Sequence, residues 1–293
     1  MSAVTYLING ISLGAVYAII ALGYTMVYGI AKMLNFAHGD VIMIGSYVIF
    51  CVVSMANLPV PLGIILAVVL CTVLGMTIEK IAYKPLRGAS SLAVLITAIG
   101  VSYFLQNVAL LIFGANTKAF SSVVSIGVIS LFNGQVNISG ETIVTILSCI
   151  VIMIALTLFV NKTKAGQAML AVSEDKGAAQ LMGINVNGTI SLTFAIGSGL
   201  AAIAGMLLCS SYPALTPYTG SMPGIKAFVA AVFGGIGSIP GALIGGLILG
   251  IIEIMSKAYI SSQLSDAIVF MVLIIVLLVK PTGLLGKKIQ EKV

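Results

Sequence analysis

Long runs of apolar residues set the strictest limit on what this chain can fold into. Segments such as 143–160 and 267–279 are predominantly apolar, and a membrane-crossing helix needs about 20 such residues to cover a hydrocarbon layer of roughly 30 Å. Only 8% of the 293 residues are charged, against about 25% in a soluble domain. The runs lack the alternating polarity of barrel strands, and backbone groups in lipid must be paired within the chain. The sequence therefore predicts an all-α, polytopic bundle of transmembrane helices.

The apolar runs divide into about nine candidate spans, within a range of eight to ten. They lie near residues 4–30, 41–57, 60–82, 92–113, 142–160, 187–209, 222–236, 240–258 and 265–280. The count depends on the glycine-rich segment 234–241, which is either a tight turn or a break between half-helices that line a cavity. We interpret residues 1–293 as a single transmembrane domain that contains broken or re-entrant segments.

Glycines recur at intervals of four residues inside the spans. Gly10 is followed by Gly14, and Gly246 by Gly250. Small residues at this spacing allow two helix backbones to approach closely. The pattern predicts tight packing within the bundle or against a partner helix, and it does not by itself indicate a function.

Lysine and arginine are unequally divided between the two sides that alternating spans define. Eleven of the fourteen lie on one side, and loops rich in Lys and Arg stay in the cytoplasm. The C-terminus and the loop 161–186 are therefore predicted to be cytoplasmic. No basic stripe with interleaved aromatic residues is present, so nucleic acid is not a predicted partner. The two groups are Lys32, Lys80, Lys84, Arg87, Lys162, Lys164, Lys176, Lys280, Lys287, Lys288 and Lys292 against Lys118, Lys226 and Lys257.

The sequence lacks the motifs of nucleotide binding and of catalysis. It contains no GxxxxGK[ST] loop for ATP, no GxSxG or HExxH motif, and a single histidine, His38. The four cysteines lie in apolar spans without a CxxC pair, so neither a metal site nor a disulfide is predicted. We expect no enzyme activity and no cofactor bound by this chain. Any role driven by ATP would require another subunit.

A polar segment, Asn35 to Asp40, follows the first apolar span. In one interpretation it is part of a broken helix whose exposed backbone N–H groups face a solute. In the other it is a short cytoplasmic loop, and Asp40 caps the next helix. The residues alone favour neither interpretation.

Glu253 is the main ionisable residue inside a predicted span, where burying a charge costs about 2.5–3.5 kcal/mol. Lys257 follows one turn later, and an i,i+4 pair at the membrane interface is a sufficient structural explanation for both. Lys226 is expected to extend outward to the membrane surface. Proton-coupled carriers usually contain more numerous and deeper titratable groups, which argues against that class.

The loop 161–186 is predicted to contain a short helix outside the bilayer. Ser173 is the expected N-cap, Glu174 and Asp175 would lie in the first turn, and Gly183 would end the helix. Its small residues would let another protein approach, and two larger ones would supply apolar contacts. The alternative is an amphipathic helix that rests on the membrane surface. The small residues are Gly177, Ala178 and Ala179, and the apolar ones are Leu181 and Met182.

Several ordered motifs resemble those of LivH-type permeases of branched-chain amino acid ABC transporters. They are GYTMVYGI at 23–30, LNFAHGD at 34–40, FGGIGSIPGA at 233–242 and KPTGLLG at 280–286. The region from 166 to 205 is similar to the coupling region of that family. Together these motifs extend the resemblance over nearly the whole chain.

The resemblance implies a permease subunit of an importer for leucine, isoleucine or valine in the cytoplasmic (inner) membrane of a prokaryote. The implied partners are a second, LivM-type permease, two cytoplasmic ATPases that use the ATP, and an external solute-binding protein. The loop 161–186 would carry the helix that couples to an ATPase, through Glu174, Asp175, Ala178, Ala179, Leu181, Met182 and Gly183. The substrate pathway is expected near Asn35, His38, Gly39, Asp40, Gly234, Gly235, Gly237 and Gly241.

Two other functions stay open on sequence alone. One is an ABC permease with a different cargo, such as urea, a short amide or another small solute. The other is a secondary carrier or channel that works without an ATPase. Dependence on an ion gradient would favour the second, and competition by leucine would separate the first from a branched-chain amino acid permease.

Overall fold

Helices make up most of the chain in this computed structural model, which describes residues 3–124, 126–131 and 136–286. They are α1 (Ala3–Ala31), α2 (His38–Phe50), α3 (Val60–Ile78), α4 (Ser91–Phe113), α5 (Gly140–Lys162), α6 (Lys164–Glu174), α7 (Lys176–Leu181), α8 (Val186–Ser211), α9 (Ser221–Gly234), α10 (Ile239–Tyr259) and α11 (Ser265–Val279). Two π-helical segments, Cys51–Met55 and Glu79–Tyr83, extend α2 and α3, and a 3-10 turn, Lys84–Leu86, follows the second.

Four short strands in the described part of the chain form two antiparallel pairs. The first pair joins β1 (Lys118–Ala119) to β4 (Ala214–Leu215), with Lys118 opposite Leu215. The second joins β2 (Ile129–Leu131) to β3 (Val136–Ile138). The first pair links the residues after α4 to those after α8, so these two helices end on the same side of the bundle.

The predicted fold class is confirmed. Seven helices in the described part of the chain are long and apolar enough to cross a membrane. The shorter apolar helices α9 and α11 have 14 and 15 residues. These nine helices correspond to the nine predicted spans, and their ends differ from the predicted ones by only a few residues. The chain is a polytopic helical membrane protein.

Helix α1 lies at the centre of the bundle and is buried along most of its length. Its closest neighbour is α10, through what we call the glycine seam: Gly10, Gly14, Gly246 and Gly250. A Cβ atom on Gly250 would overlap the backbone of Gly14, and one on Gly10 would lie 2.9 Å from the Cα of Ile251. The predicted close approach of two helix backbones is therefore confirmed inside the chain.

The opposite face of α10 packs equally closely against α9. A Cβ on Gly245 would overlap the carbonyl oxygen of Ala230, and Gly234 and Gly241 meet in the same way. The two antiparallel helices and α1 thus form a three-helix core that depends on glycine at its contacts. Helices α3, α4 and α5 lie further out, and many of their large apolar side chains are exposed.

One end of the bundle collects much of the positive charge, and we call it the basic end. The ammonium of Lys176 donates a hydrogen bond of 2.9 Å to the carbonyl oxygen of Ala31, which is the last residue of α1. Arg87, after α3, donates to the side chain of Asn187 at the start of α8. These contacts place the end of α1, the end of α3 and the segment 163–186 together, as the distribution of charge predicted.

The residues after α11 also lie at the basic end. The backbone N–H groups of Leu284 and Leu285 donate to the last carbonyls of α9, Phe233 and Gly234, at 2.9 Å each. These bonds satisfy acceptors that have no partner within their own helix. Three lysines that contributed to the predicted asymmetry, Lys287, Lys288 and Lys292, lie outside the described residues.

The predicted start of the helix in the loop 161–186 is wrong. The structure contains two helices there, α6 and α7, separated at Asp175 by an extended backbone. Asp175 is the N-cap of α7 and accepts a hydrogen bond of 2.9 Å from the N–H of Ala178, whereas Ser173 lies in the last turn of α6. The end of the helix is as predicted, because Gly183 follows it with a left-handed φ of 83°.

Candidate functional site

The chain reverses direction directly after α1 and returns into the bundle. Lys32 has a left-handed φ of 59°, and residues 32–35 continue without helical structure. Helix α2 starts at His38, whose ring lies against Gly23. Gly23 precedes the end of α1 by eight residues, or about 12 Å at 1.5 Å per residue. Helix α2 therefore begins inside the bundle and not at its surface.

Burial of the polar residues argues against a short loop exposed to the cytoplasm. Asn35, His38 and Asp40 are 5%, 1% and 2% exposed. Asp40 does not cap α2, because Ala37 is the N-cap residue and Asp40 lies within the first turn. The segment has the form that the broken-helix interpretation predicted. Whether a solute passes it remains a prediction.

A second helix also begins inside the bundle, beside the start of α2. A Cβ on Gly220, just before α9, would overlap the carbonyl oxygen of Gly39, and one on Gly224 would lie 2.9 Å from the Cα of Gly39. The N-termini of α2 and α9 are thus in backbone contact. Positive ends of two helix dipoles converge at this point.

A buried amide from α4 joins the two helix starts. The Nε2 atom of Gln106 lies 2.9 Å from Oδ1 of Asp40, and 3.2 Å from the hydroxyl oxygens of both Ser102 and Ser221. Sequence reasoning missed Gln106, although a polar amide inside an otherwise apolar span was the available signal. We call Asp40, Ser102, Gln106 and Ser221 the polar cluster. It ties α2, α4 and α9 together in the interior.

A small cavity of about 10 Å³ lies between the re-entrant segment and α9. The surface that faces the cavity is entirely apolar. The lining residues are Tyr24, Tyr28, Met33, Leu34, Asn35, Phe228, Ala231 and Ile236. A space of this size holds about one water molecule, whereas usual ligand pockets measure about 300–1,000 Å³, so the cavity does not hold an amino acid in this conformation.

Among the predicted pathway residues, Asn35 lines the cavity. Its side-chain oxygen accepts a hydrogen bond of 2.9 Å from the hydroxyl of the buried Tyr83, which fixes the amide in place. His38, Gly39 and Asp40 do not line the cavity and lie at the start of α2. The ring of His38 packs edge to face against Tyr24, with centroids 4.6 Å apart. Tyr24 therefore separates His38 from the cavity that it lines.

The glycine-rich segment 234–241 is a tight turn between α9 and α10. Gly235 and Gly237 have left-handed φ values of 105° and 95°, and Ser238 caps α10 by accepting from the N–H of Gly241. The alternative, a break between half-helices, does not occur here. The four glycines of the predicted pathway shape this turn, and its contact with the cavity is made by Ile236.

An ion network joins α9, α10 and α11 away from the cavity, and a hydrogen bond from Tyr17 links it to α1. Oε1 of Glu253 lies 2.8 Å from Nζ of Lys226 and 2.5 Å from Nζ of Lys257, and its Oε2 accepts from the hydroxyl of Tyr17 at 2.8 Å. Lys226 also lies 2.7 Å from Oδ1 of Asp266. The pair of Glu253 and Lys257 is present as predicted. The prediction that Lys226 extends outward is wrong, because Lys226 is 6% exposed and turns inward to two carboxylates.

Three features of this site indicate a class of protein. Helices begin within the bundle, polar residues are buried at their starts, and a small cavity lies beside them. They are the features of membrane transport proteins, in which non-helical backbone at membrane depth is tolerated where it is covered by protein or lines a cavity. The sequence specifies the family within this class. Residues 6–277 match the family described as the permease component of branched-chain amino acid transport systems, and the chain belongs to that family.

Individual relatives resemble the chain over almost its full length. The high-affinity branched-chain amino acid transport system permease protein LivH of Escherichia coli K12 is 47% identical, over 97% of this chain and 96% of its own. The corresponding permease BraD of Pseudomonas aeruginosa is 44% identical, over 98% and 97%. Among solved structures, PsaBC from Streptococcus pneumoniae in complex with Fab matches 95% of this chain and 90% of its own at 16% identity, with a TM-score of 0.44.

Proposed function

We propose that this chain is the membrane-spanning permease subunit of an ABC importer that carries leucine, isoleucine and valine across the cytoplasmic membrane of a prokaryote. The observation that carries the proposal is the 47% identity over 97% of the chain to a permease of that named function. The apolar lining of the cavity would suit an aliphatic side chain in a conformation in which the cavity is wider. The chain itself carries out no enzymatic reaction.

Energy enters through other subunits in this proposal. The sequence has no ATP-binding loop, so two ATPases would bind and hydrolyse the ATP at the basic end, which is then cytoplasmic. Helix α7 would be the docking element, because Leu181 and Met182 at its end are 91% and 82% exposed. A second, LivM-type permease and an external solute-binding protein would complete the transporter. Large apolar side chains exposed together are typical of contacts with another protein.

Transport by the complete assembly tests the proposal. The chain is tagged, extracted from its native membrane with its partners, and placed in proteoliposomes that contain ATP. We expect labelled leucine to accumulate only when ATP is present. Unlabelled isoleucine or valine should reduce this accumulation by competition. Competition by urea and not by isoleucine would show that the cargo is not a branched-chain amino acid. Uptake that follows an ion gradient without ATP would show that the protein is a secondary carrier or channel.

Filling the cavity should impair transport by the protein that still assembles, although overpacking also costs stability. Ala231, on α9, lines the cavity, and the side chain introduced by Ala231→Phe is larger than the space it would enter. We expect kcat/KM for leucine uptake to fall roughly ten-fold or more. One extra or missing methylene in an apolar pocket already changes the discrimination between two substrates by about 10-fold to 200-fold. Ile225→Phe on the exposed side of α9 is the matched control. Equal uptake by both variants would exclude the cavity from the pathway.

A further inference from the structure

Helix α7 is attached to α1 through the side chain of its first residue. Nζ of Lys176 donates to the carbonyl oxygen of Ala31 at 2.9 Å, across 145 positions of sequence. The last carbonyls of a helix have no partner within the helix, and a cation is favourable beside them. The backbone of α7 packs on α6 and α8, so this long side chain extends the reach of α7 to the central helix.

The carbonyl that Lys176 holds lies at the start of the cavity wall. Ala31 is followed by the left-handed residue Lys32, where a side chain other than glycine is strained. Three cavity-lining residues come directly after it: Met33, Leu34 and Asn35. Any displacement of the Ala31 carbonyl therefore acts on a short, non-helical stretch of chain that forms one side of the cavity.

The contact lies in a positively charged setting. Burial, with Arg87 and Lys32 nearby, lowers the pKa of Lys176. The charge of Arg87 is itself compensated by Glu79, which is 1% exposed and also accepts from the hydroxyl of Ser191 at 2.6 Å. Lys176 thus lies near two other cations, and the acceptor of its hydrogen bond is a neutral carbonyl oxygen.

We propose that Lys176 is a positioning residue that transmits movement of α7 to residues 32–37 at the wall of the cavity. This proposal rests on the proposed function, in which an ATPase docks on α7 and moves it. Lys176 does not touch the solute in this scheme. It acts through Ala31 on the segment that does.

The test compares Lys176→Met with Lys176→Arg in the complete transporter, reconstituted with its ATPases and binding protein. Methionine retains an apolar stem without the donor, and arginine retains a cation with donors. We expect Lys176→Met to keep ATP hydrolysis within two-fold of the wild type while the ratio of leucine imported to ATP hydrolysed falls at least five-fold. Lys176→Arg should restore at least half of that ratio. Lys164→Met, which removes an exposed charge from the first position of α6, should leave it unchanged.

A second measurement covers the case in which Lys176→Met does not assemble. Hydrogen exchange of residues 32–37 in the wild-type transporter should change when ATP is bound, and that change should persist in Lys164→Met. The proposal is overturned if an assembled Lys176→Met transporter keeps the wild-type ratio of leucine imported to ATP hydrolysed. It is also overturned if hydrogen exchange of residues 32–37 does not change when ATP binds. A wild-type transporter that imports no leucine with ATP instead overturns the proposed function, so the two failures are distinguishable.

Discussion

Replacing Gly250 by leucine is expected to destabilise the folded bundle by about 3 kcal/mol or more. Inserting methylenes into a packed core usually costs about 1–3 kcal/mol, and here the obstacle is backbone. A Cβ on Gly250 would overlap the N and Cα atoms of Gly14 and lie 2.6 Å from the carbonyl oxygen of Gly10. Side chains can change rotamer to relieve an overlap, whereas two helix backbones can only move apart. Separation of α10 from α1 would expose the most deeply buried helix of the chain.

Gly100→Leu is the control for this substitution. Gly100 also lies within a long apolar helix, α4, but a Cβ there meets no atom within 4 Å. The readouts are the midpoint of thermal unfolding in a fixed detergent and the fraction of purified protein that is monodisperse. We expect both to drop for Gly250→Leu and to stay near the wild type for Gly100→Leu. Equal behaviour of the two variants would show that the glycine seam does not hold α1 and α10 together.

The spans could be predicted from sequence because the membrane imposes a requirement that is local. Every crossing needs a continuous apolar run with its backbone bonds made internally, and neither condition depends on distant residues. The prediction therefore held even for α9 and α11, which are shorter than a full crossing. The spacing of Gly246 and Gly250 likewise signalled close packing, although it did not identify Gly10 and Gly14 as the partners.

The start of α7 was mispredicted because two residues compete for the same role. Ser173 and Asp175 are both good caps, and the sequence before Ser173 contains strong helix formers. Met169 and Val172 bury their side chains on the bundle, so packing extends α6 through Ser173 and leaves Asp175 to cap the next helix. Tertiary contacts decided the boundary, and the sequence does not show them.

The cavity and the role of Lys226 depend on residues that are distant in sequence. Tyr24 and Phe228 lie on α1 and α9 with ring centroids 5.8 Å apart, and in sequence they are ordinary aromatic residues of apolar spans. Asn35 was selected because it is polar between two spans, which is a local signal. The carboxylates that turn Lys226 inward follow it by 27 and 40 positions, so only the fold brings them together.

The ion network predicts a second large effect, in which one substitution is partly corrected by another. Glu253→Gln removes the carboxylate that faces both Lys226 and Lys257, and leaves Asp266 as the remaining acid of the network in the described structure. Breaking a buried ion pair by removing one partner costs about 3–5 kcal/mol, since the other charge stays buried without compensation. We expect Glu253→Gln to lower the thermal midpoint far more than Glu174→Gln, which removes an exposed acid at the basic end.

Adding Lys226→Met to Glu253→Gln should raise the thermal midpoint again. The double variant retains Lys257 and Asp266, whose side chains are 36% and 43% exposed, so one cation and one anion remain and both can be hydrated. The single variant retains two cations for one anion, and Lys226 is the buried one. Residues in direct contact commonly show coupling free energies of about 0.5–3 kcal/mol, and we expect the upper part of that range. If the double variant loses as much stability as the two single variants combined, the charges act independently, and α9 is held to α10 and α11 by packing alone.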